Sequence, residues 1–533
     1  HLKMVITLII LLVLLVALYL LNKIIVAPTL FRLKYRKYPN VQMSSEATLF
    51  KGDHALVEKN VANNAFGMWY YRRCFLQKHL LPRSRARCNS GTSYYEIALS
   101  DNKPDLYVKF IGPEPMFVIY STKALAQLKK LTPAKIDRDE MFLNKFIGKI
   151  FPRSFAQAES GENWKARRNS LMKAMGLNYA SGYIQKLLTC MEQVASQWKP
   201  GTRVDFSEEF AGVEFLFMTK VLFGKDFHLQ ELSNNSKEYL FEYEHADGQI
   251  EQMDMLRIVQ KITLDTFEGY LSPLGTLFPF INDYNLLPPY TRIVRNVDRL
   301  TQRLHDFLKT CDDEDAVFLK LKNEGVFTED ELIQDMLLQL FAGSDTTSRS
   351  VVALFYYIKK YPEVYDKLVK LYEQEGITKN GDLQRDKVTV EGFENCEYAE
   401  YVIKELLRLD VPTVETVSYK SLEDIEICGV PIKKGNFFTL GVAGFHLDKK
   451  HWHEPMKFIP ERFDPESEYF NSPTTGKARD PLSFVPFSTG LRGCPGQTFA
   501  KLTMKIALPF FLSNLDYDVE EGLLKNEKVN LSN

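Results

Sequence analysis

The sequence carries almost no net charge. With 67 basic and 68 acidic side chains it stands at −1, so there is no overall basic field to hold nucleic acid, and none is expected as a partner. No internal repeat or low-complexity tract appears, which argues against a solenoid or a disordered chain. The seven cysteines, at 74, 88, 190, 311, 396, 428 and 494, are odd in number and lack paired spacing. That argues against a disulfide framework and fits a reducing compartment. No flavin-binding or nicotinamide-binding segment is recognisable, so any redox chemistry must draw its electrons from a separate protein. What is there is a chain that is 45% hydrophobic and long enough, at 533 residues, to bury a substantial core.

One cysteine is set apart by its surroundings, the run Phe487-Ser488-Thr489-Gly490-Leu491-Arg492-Gly493-Cys494-Pro495-Gly496. Glycines at 490, 493 and 496 admit turn conformations and the close approach of a flat cofactor. Pro495 suits the start of a helix over 497–512, which is rich in Ala, Leu, Met and Phe. Amides at that helix start, with Arg492 two residues before the sulfur, favour a thiolate. Having no second Cys or His nearby, Cys494 is a poor zinc ligand and a good axial ligand for haem iron. The competing reading is a buried structural cysteine in a Gly-rich turn. Spacing favours the first, because Phe-x-x-Gly-x-Arg-x-Cys-x-Gly arises from average composition in roughly one chain in ten thousand.

That pattern resembles the haem loop of the cytochrome P-450 family at all five fixed positions. The resemblance implies haem b, with Cys494 as the iron ligand, Phe487 packed beside the sulfur and Arg492 reaching a haem propionate. Gly490 and Gly496 belong to the same cofactor loop.

Three further segments follow the family's order. Ala342-Gly343-Ser344-Asp345-Thr346-Thr347 lies in a predicted helix that starts at a Thr328/Glu331 capping box and stops near residue 360, before Pro362. Gly and Thr are costly in mid-helix, by about 1 kcal/mol for Gly against Ala, so a local irregularity is expected there. Ala342 and Gly343 clear space for a cofactor or substrate, while Asp345 and Thr346 form an acid and alcohol pair suited to passing protons. A helix packed by small residues is the alternative. The resemblance makes Thr346 the oxygen-activating alcohol and Asp345 its acidic neighbour. Glu405 and Arg408 share a helix face, which taken alone means a surface ion pair. In the family such a pair locks to an arginine like Arg462 of Pro460-Glu461-Arg462-Phe463, a structural network. In Trp164-Lys165-Ala166-Arg167-Arg168, Trp164 and Arg168 share a face able to grip a carboxylate. By itself that face reads as a solvated basic surface; the resemblance implies that the pair holds a propionate. The stretch 411–419 departs from the pattern, with neither Arg nor His to meet a propionate, which leaves Trp164, Arg168 and Arg492, or else Tyr419 or Lys420.

The apolar run at 4–22 is long enough to cross a bilayer nearly on its own and lacks the Ala-x-Ala ending of a cleaved signal peptide. It is expected to be a single-pass anchor. Lys23, Arg32, Lys34, Arg36 and Lys37 follow it and only Lys3 precedes it, which puts the rest of the chain in the cytosol, on the endoplasmic reticulum membrane. The chain begins with His1, and the natural N-terminus is expected upstream. Residues 23–44 read as a basic linker interrupted by Pro28 and Pro39, with a catalytic domain over 45–533. Strands are predicted at 107–111 and 116–120 around Gly112-Pro113, and near 425–432 and 436–440, with helices dominating elsewhere. The apolar, turn-rich 271–281 segment borders a substrate entrance, meets lipid or forms a buried loop.

The expected fold is therefore mainly α with a smaller β-rich lobe, the haem lying between a long central helix and the cysteine loop. The resemblance implies a monooxygenase that inserts one atom of O2 into an apolar substrate, with protons routed through Asp345 and Thr346. Its electrons are expected from an NADPH-dependent flavoprotein reductase, docking where Lys165 and Arg167 lie. A haem-thiolate isomerase or dehydratase acting on peroxides, and a non-catalytic haem-binding protein, are the alternatives. Substrate identity is beyond the sequence.

Overall fold

Apolar residues at helical spacing over long stretches give a molecule built mainly of helices, with a small β-rich lobe. The computed structural model describes residues 2–43, 99–111, 113–138, 148, 150–176, 180–199, 201, 204, 206–224, 240–270, 277, 278, 280, 281, 284–413 and 415–518. The expected domain start near 45, the Gly112 turn and most of the 271–281 segment lie outside the described residues.

The central helix runs Glu329–Lys360. Its start is the capping box expected: Thr328 Oγ1 accepts from the Glu331 amide at 3.3 Å, and Glu331 Oε2 accepts from the Thr328 amide at 2.9 Å. Pro362 opens the next helix, Pro362–Gln374. The irregularity expected around Gly343 is absent, and the α-helix is unbroken through Thr347. Thr346 donates its hydroxyl to the Ala342 carbonyl at 2.7 Å, satisfying the side chain while the backbone ladder stays intact.

Helix Phe206–Leu222 packs antiparallel along this axis. Phe206 meets Phe355 at 5.7 Å between ring centroids, while at the other end Met218 fills the space above Gly343. The C-terminal helix Gln497–Asn514 joins them through Phe511, 5.4 Å from Phe355 and 5.3 Å from Phe206. These aromatics belong to the larger of two apolar cores.

The second core lies in the β lobe. Its six-stranded sheet runs, edge to edge, Val41–Met43, Leu106–Ile111, Glu114–Ile119, Phe437–Leu440, Tyr419–Ser421 and Ile136–Arg138. The predicted strands fall within about two residues of those observed. The pairing of Phe437–Leu440 beside Glu114–Ile119 is parallel and joins segments some 300 residues apart. No local pattern carries such a contact.

The N-terminal helix Leu2–Leu21 exposes apolar side chains along its length. It continues through a π turn at Asn22–Val26 into Ala27–Tyr35. Pro28 was expected to interrupt the chain, but it sits in the first turn of Ala27–Tyr35, where a missing N–H is tolerated. The expected linker is thus helical as far as Tyr35 and fixed to the lobe. Tyr35 meets Phe117 edge-on at 5.2 Å, and its hydroxyl donates to the Pro431 carbonyl at 3.0 Å.

Candidate active site

The cysteine loop is shaped by two left-handed residues, Ser488 (φ 62°) and Gly490 (φ 73°). Gly490 suits that conformation because it has no Cβ. Gly493 is required for space instead: a Cβ there would lie 3.3 Å from the Gly490 carbonyl oxygen. Gly496 has neither constraint within the protein, and its amide serves the Cys494 sulfur as a hydrogen-bond donor. The Cys494 amide donates to the Phe487 carbonyl at 2.8 Å, closing the loop.

Cys494 is exposed, yet protein atoms crowd it on its other sides. The thiol therefore faces an opening from within the fold. Burial pushes its pKa up, and the Gly496 amide and then the Arg168 charge pull it partly back. The charge beside the sulfur is Arg168, not Arg492 as expected from sequence distance. A coordinated metal ion deprotonates such a thiol outright.

Arg492 turns away from the sulfur and is held by protein. Its Nε donates to Ser160 Oγ at 3.0 Å, its Nη2 to the Ala158 carbonyl at 2.8 Å and to Asp137 Oδ1 at 3.2 Å, and it stacks 4.1 Å over Trp164. Arg168 Nη2 donates to the Gly493 carbonyl at 2.6 Å, tying the Glu162–Ala174 helix to the loop. Trp164 is buried and its Nε1–H has no partner among the described residues.

On the central helix, Ala342 is exposed and Phe341, Gly343, Asp345 and Thr346 around it are half-buried, whereas 332–340 and 347–358 are buried. Gly343 does not open space for a cofactor. A Cβ there would stand 3.0 Å from Met218 Cε, so the glycine admits the neighbouring helix. Asp345 is gripped by Arg349, whose Nε and Nη2 reach Oδ1 at 2.8 and 2.6 Å.

Glu405, Arg408 and Arg462 come together with no exposed side-chain surface. Glu405 takes two bonds from Arg408 at 2.8 Å and one from Arg462 at 3.0 Å. Carbonyls of His446, Pro455 and Lys457 take the remaining Arg408 donors, and those of His453, Glu454 and Lys457 take those of Arg462. Two arginines thus staple the 446–457 segment, and buried charges of this kind persist only with every donor answered.

A family model for cytochrome P450 matches residues 98–531, about four-fifths of the chain. The chain belongs to the cytochrome P450 family. Similar proteins include cytochrome P450 4F6 of Rattus norvegicus, 26% identical over 430 residues that cover 78% of this chain and 76% of that relative. Cytochrome P450 4F11 of Homo sapiens is 26% identical over 434 residues, 77% of each chain. Cytochrome P450 3A5 of Homo sapiens is 30% identical over 267 residues, 47% of this chain and 50% of the relative. The protein is accordingly a monooxygenase that binds haem b through a cysteine thiolate and works on apolar substrates with O2 and a redox partner. The isomerase and non-catalytic readings gain no support from these relatives.

In this P450 two residues of the site region escape the sequence motifs. Arg138 is paired in register with Tyr419 and lies 4.7 Å over its ring, and its Nε is buried without a partner among the described residues. Its charge also acts on Arg168 and Arg492; burial first, then Arg138, brings Arg492 down to about 10. Arg168 and Arg492 lie over the Trp164 ring, Arg138 is close enough for its charge to act on both, and Asp137 is the one carboxylate that the described bonds show among them. A buried, donor-rich cluster of this kind fits a group bearing carboxylates. His446 is the second. Its Nε2 accepts from the Val485 amide at 2.9 Å, so Nδ1 carries the proton and donates to the Arg408 carbonyl at 3.1 Å. It links the arginine staple to the chain entering the cysteine loop.

Arg167, expected on a docking surface with Lys165, is buried and paired with Asp335 at 2.5 Å and Glu331 at 3.1 Å. Only Lys165 of the two is exposed.

Proposed function

We propose that Cys494 is the thiolate ligand of the haem iron and that the haem lies between the cysteine loop and the exposed turn at Ala342. The observation that carries this reading is a cysteine exposed on one side of a crowded setting, in a fold that leaves the Trp164 N–H and the Arg138 Nε without partners among the described residues. When bound, the haem supplies the redox-active iron at which O2 is activated. Arg138, Arg168 and Trp164 take the propionates, with Arg492 bracing Trp164 from behind. This answers the missing Arg or His in 411–419 with a cation from the neighbouring strand. Phe487 packs beside the sulfur, and Gly490 and Gly496 keep the loop close to the ring. Thr346 holds a proton within reach of the open side, and Asp345 exchanges it once the Arg349 grip opens. Glu405, Arg408 and Arg462 position the segment before the loop.

Residues 4–22 cross the endoplasmic reticulum membrane once, the basic segment 23–44 follows and docks on the β lobe through Phe31, Tyr35 and 41–43, and the catalytic domain over 45–533 faces the cytosol, as the basic residues after the span support. A second lipid contact is supported by Phe280, Tyr284 and Leu286, exposed at 50%, 75% and 57%. They adjoin Leu277 and Phe278, which meet Tyr19 of the span through a 3.0 Å hydrogen bond and a 5.9 Å ring contact. Electrons come from an NADPH-dependent flavoprotein reductase in the same membrane, docking near Lys165. Reconstitution with that reductase, NADPH and a panel of apolar substrates tests the reading. O2-dependent product is expected, and Thr346→Ala should keep haem while diverting electrons to peroxide. Tight coupling in that variant contradicts the role of Thr346.

A further inference from the structure

The helix pair beside the site contains two polar side chains without partners. Both carboxyl oxygens of Glu214, on helix Phe206–Leu222, are buried with no hydrogen bond among the described residues, and so is Ser344 Oγ on the central helix. Glu214 is 0% exposed. An unpaired buried carboxyl destabilises a fold, and no bond or ion pair among the described residues offsets that. Burial alone acts on its titration and pushes it up to about 8. At neutral pH the group stands in the core as a neutral acid with a proton to give.

Helix register says where. Phe206 opposes Phe355 and Met218 opposes Gly343, so the two helices run antiparallel. Glu214 lies one turn before Met218 on the same face. It therefore opposes the turn just after Gly343, which carries Asp345, Thr346 and Thr347. Thr347 is buried, and Asp345 is tied up as an acceptor by Arg349. Most charged groups on the elements packed against helix Phe206–Leu222 are engaged elsewhere: Glu192 pairs with Arg385, Glu324 with Lys173, Asp335 with Arg167 and Lys505 with Glu400, while Lys501 lies over the Phe487 ring. Lys186 bonds the Lys220 carbonyl, Lys320 pairs with Asp315, Lys322 with Glu329 and Arg349 with Asp345.

We propose that Glu214 is the proton reservoir for the Asp345–Thr346 turn, a positioning residue that acts across the helix contact through the hydroxyl of Thr347. In each transfer the Glu214 O–H bond breaks, its proton passes by way of Thr347 to Thr346 Oγ1 as Thr346 gives its own to the O2 being reduced, and the carboxylate left behind is reprotonated from solvent. The inference rests on the reading of Thr346 as the proton-handling alcohol.

The first test needs no turnover. An infrared difference spectrum of the full-length holoenzyme against Glu214→Gln should contain the C=O stretch of a protonated carboxyl that shifts in D2O and is lost with a midpoint near pH 8. A pair of carboxylate bands at pH 7 in its place overturns the proposal. The second test is the yield of product per NADPH from pH 6 to 9.5. Glu214→Gln should keep its haem spectrum and melting temperature, lose coupling by about tenfold and lose the wild type's decline above pH 8, with partial rescue by Glu214→Asp. Wild-type coupling with an unchanged pH profile in Glu214→Gln overturns the proposal. If Thr346→Ala stays coupled, the Thr346 reading falls and the reservoir falls with it; if Thr346→Ala uncouples while Glu214→Gln stays coupled, the reservoir alone falls.

Discussion

His446 sets a condition on the stability of this P450. Burial, then the Arg408 charge, hold it neutral in the fold with its pKa lowered to about 3. An unfolded histidine takes up a proton near pH 6.5, so the unfolded state binds more protons throughout the interval between the two values. Stability therefore falls as pH drops from about 6.5 toward about 3, by up to about 1.4 kcal/mol per pH unit from this group. Denaturant midpoints between pH 4 and 7 should lose that slope in His446→Gln; an unchanged slope would assign the acid limb to other groups. Trp164 makes a second residue-scale prediction. Trp164→Phe keeps most of the ring and removes the unpartnered donor, so haem should leave about tenfold faster, near 1.4 kcal/mol for one hydrogen bond to a charged acceptor. Haem transfer to a scavenger measures it, and an unchanged rate would place the propionates elsewhere. Cys494, Glu405, Arg408 and Thr346 were legible because fixed spacing along one segment marks them. Arg138, His446 and Glu214 were not. Each owes its setting to residues far off in sequence: Arg138 to Tyr419 through strand pairing, His446 to Val485, and Glu214 to a helix more than a hundred residues away.

At the scale of elements, two devices hold the halves of the site. The central helix was readable from its cap, its apolar stripe and Pro362. Its regularity through Gly343 was not, because the glycine is explained by Met218 on another helix. Thr328→Ala removes one half of the capping box and should cost about 1 kcal/mol in thermal or denaturant unfolding, leaving the haem spectrum unchanged. The arginine staple behaves differently, because its charges are fully buried. Arg408→Met leaves Glu405 with one arginine instead of two and strips the His446 and Pro455 carbonyls of their donor, so about 3–5 kcal/mol is expected, enough to lose folded holoprotein. A variant that folds with wild-type stability would show that the 446–457 segment is held by other contacts.

At the scale of the molecule, the apolar N-terminal helix continues into a helix that ends against the β lobe, so under the proposed anchoring this joint sets the attitude of the catalytic body on the membrane. The apolar span was plain in composition. Its docking was not, because it depends on Phe31 and Tyr35 meeting a sheet built from strands remote in sequence. Deleting residues 2–26 should weaken binding to phospholipid vesicles without abolishing it, and adding Phe280→Asp and Tyr284→Asp should release the protein. Full release by the deletion alone would remove the second lipid contact. The account as a whole rests on Cys494, and its most direct test is the carbon monoxide difference spectrum of the purified, dithionite-reduced protein. A strongly red-shifted Soret band, lost in Cys494→Ala, is the result predicted; a histidine-type band, or a normal thiolate band in Cys494→Ala, would contradict it.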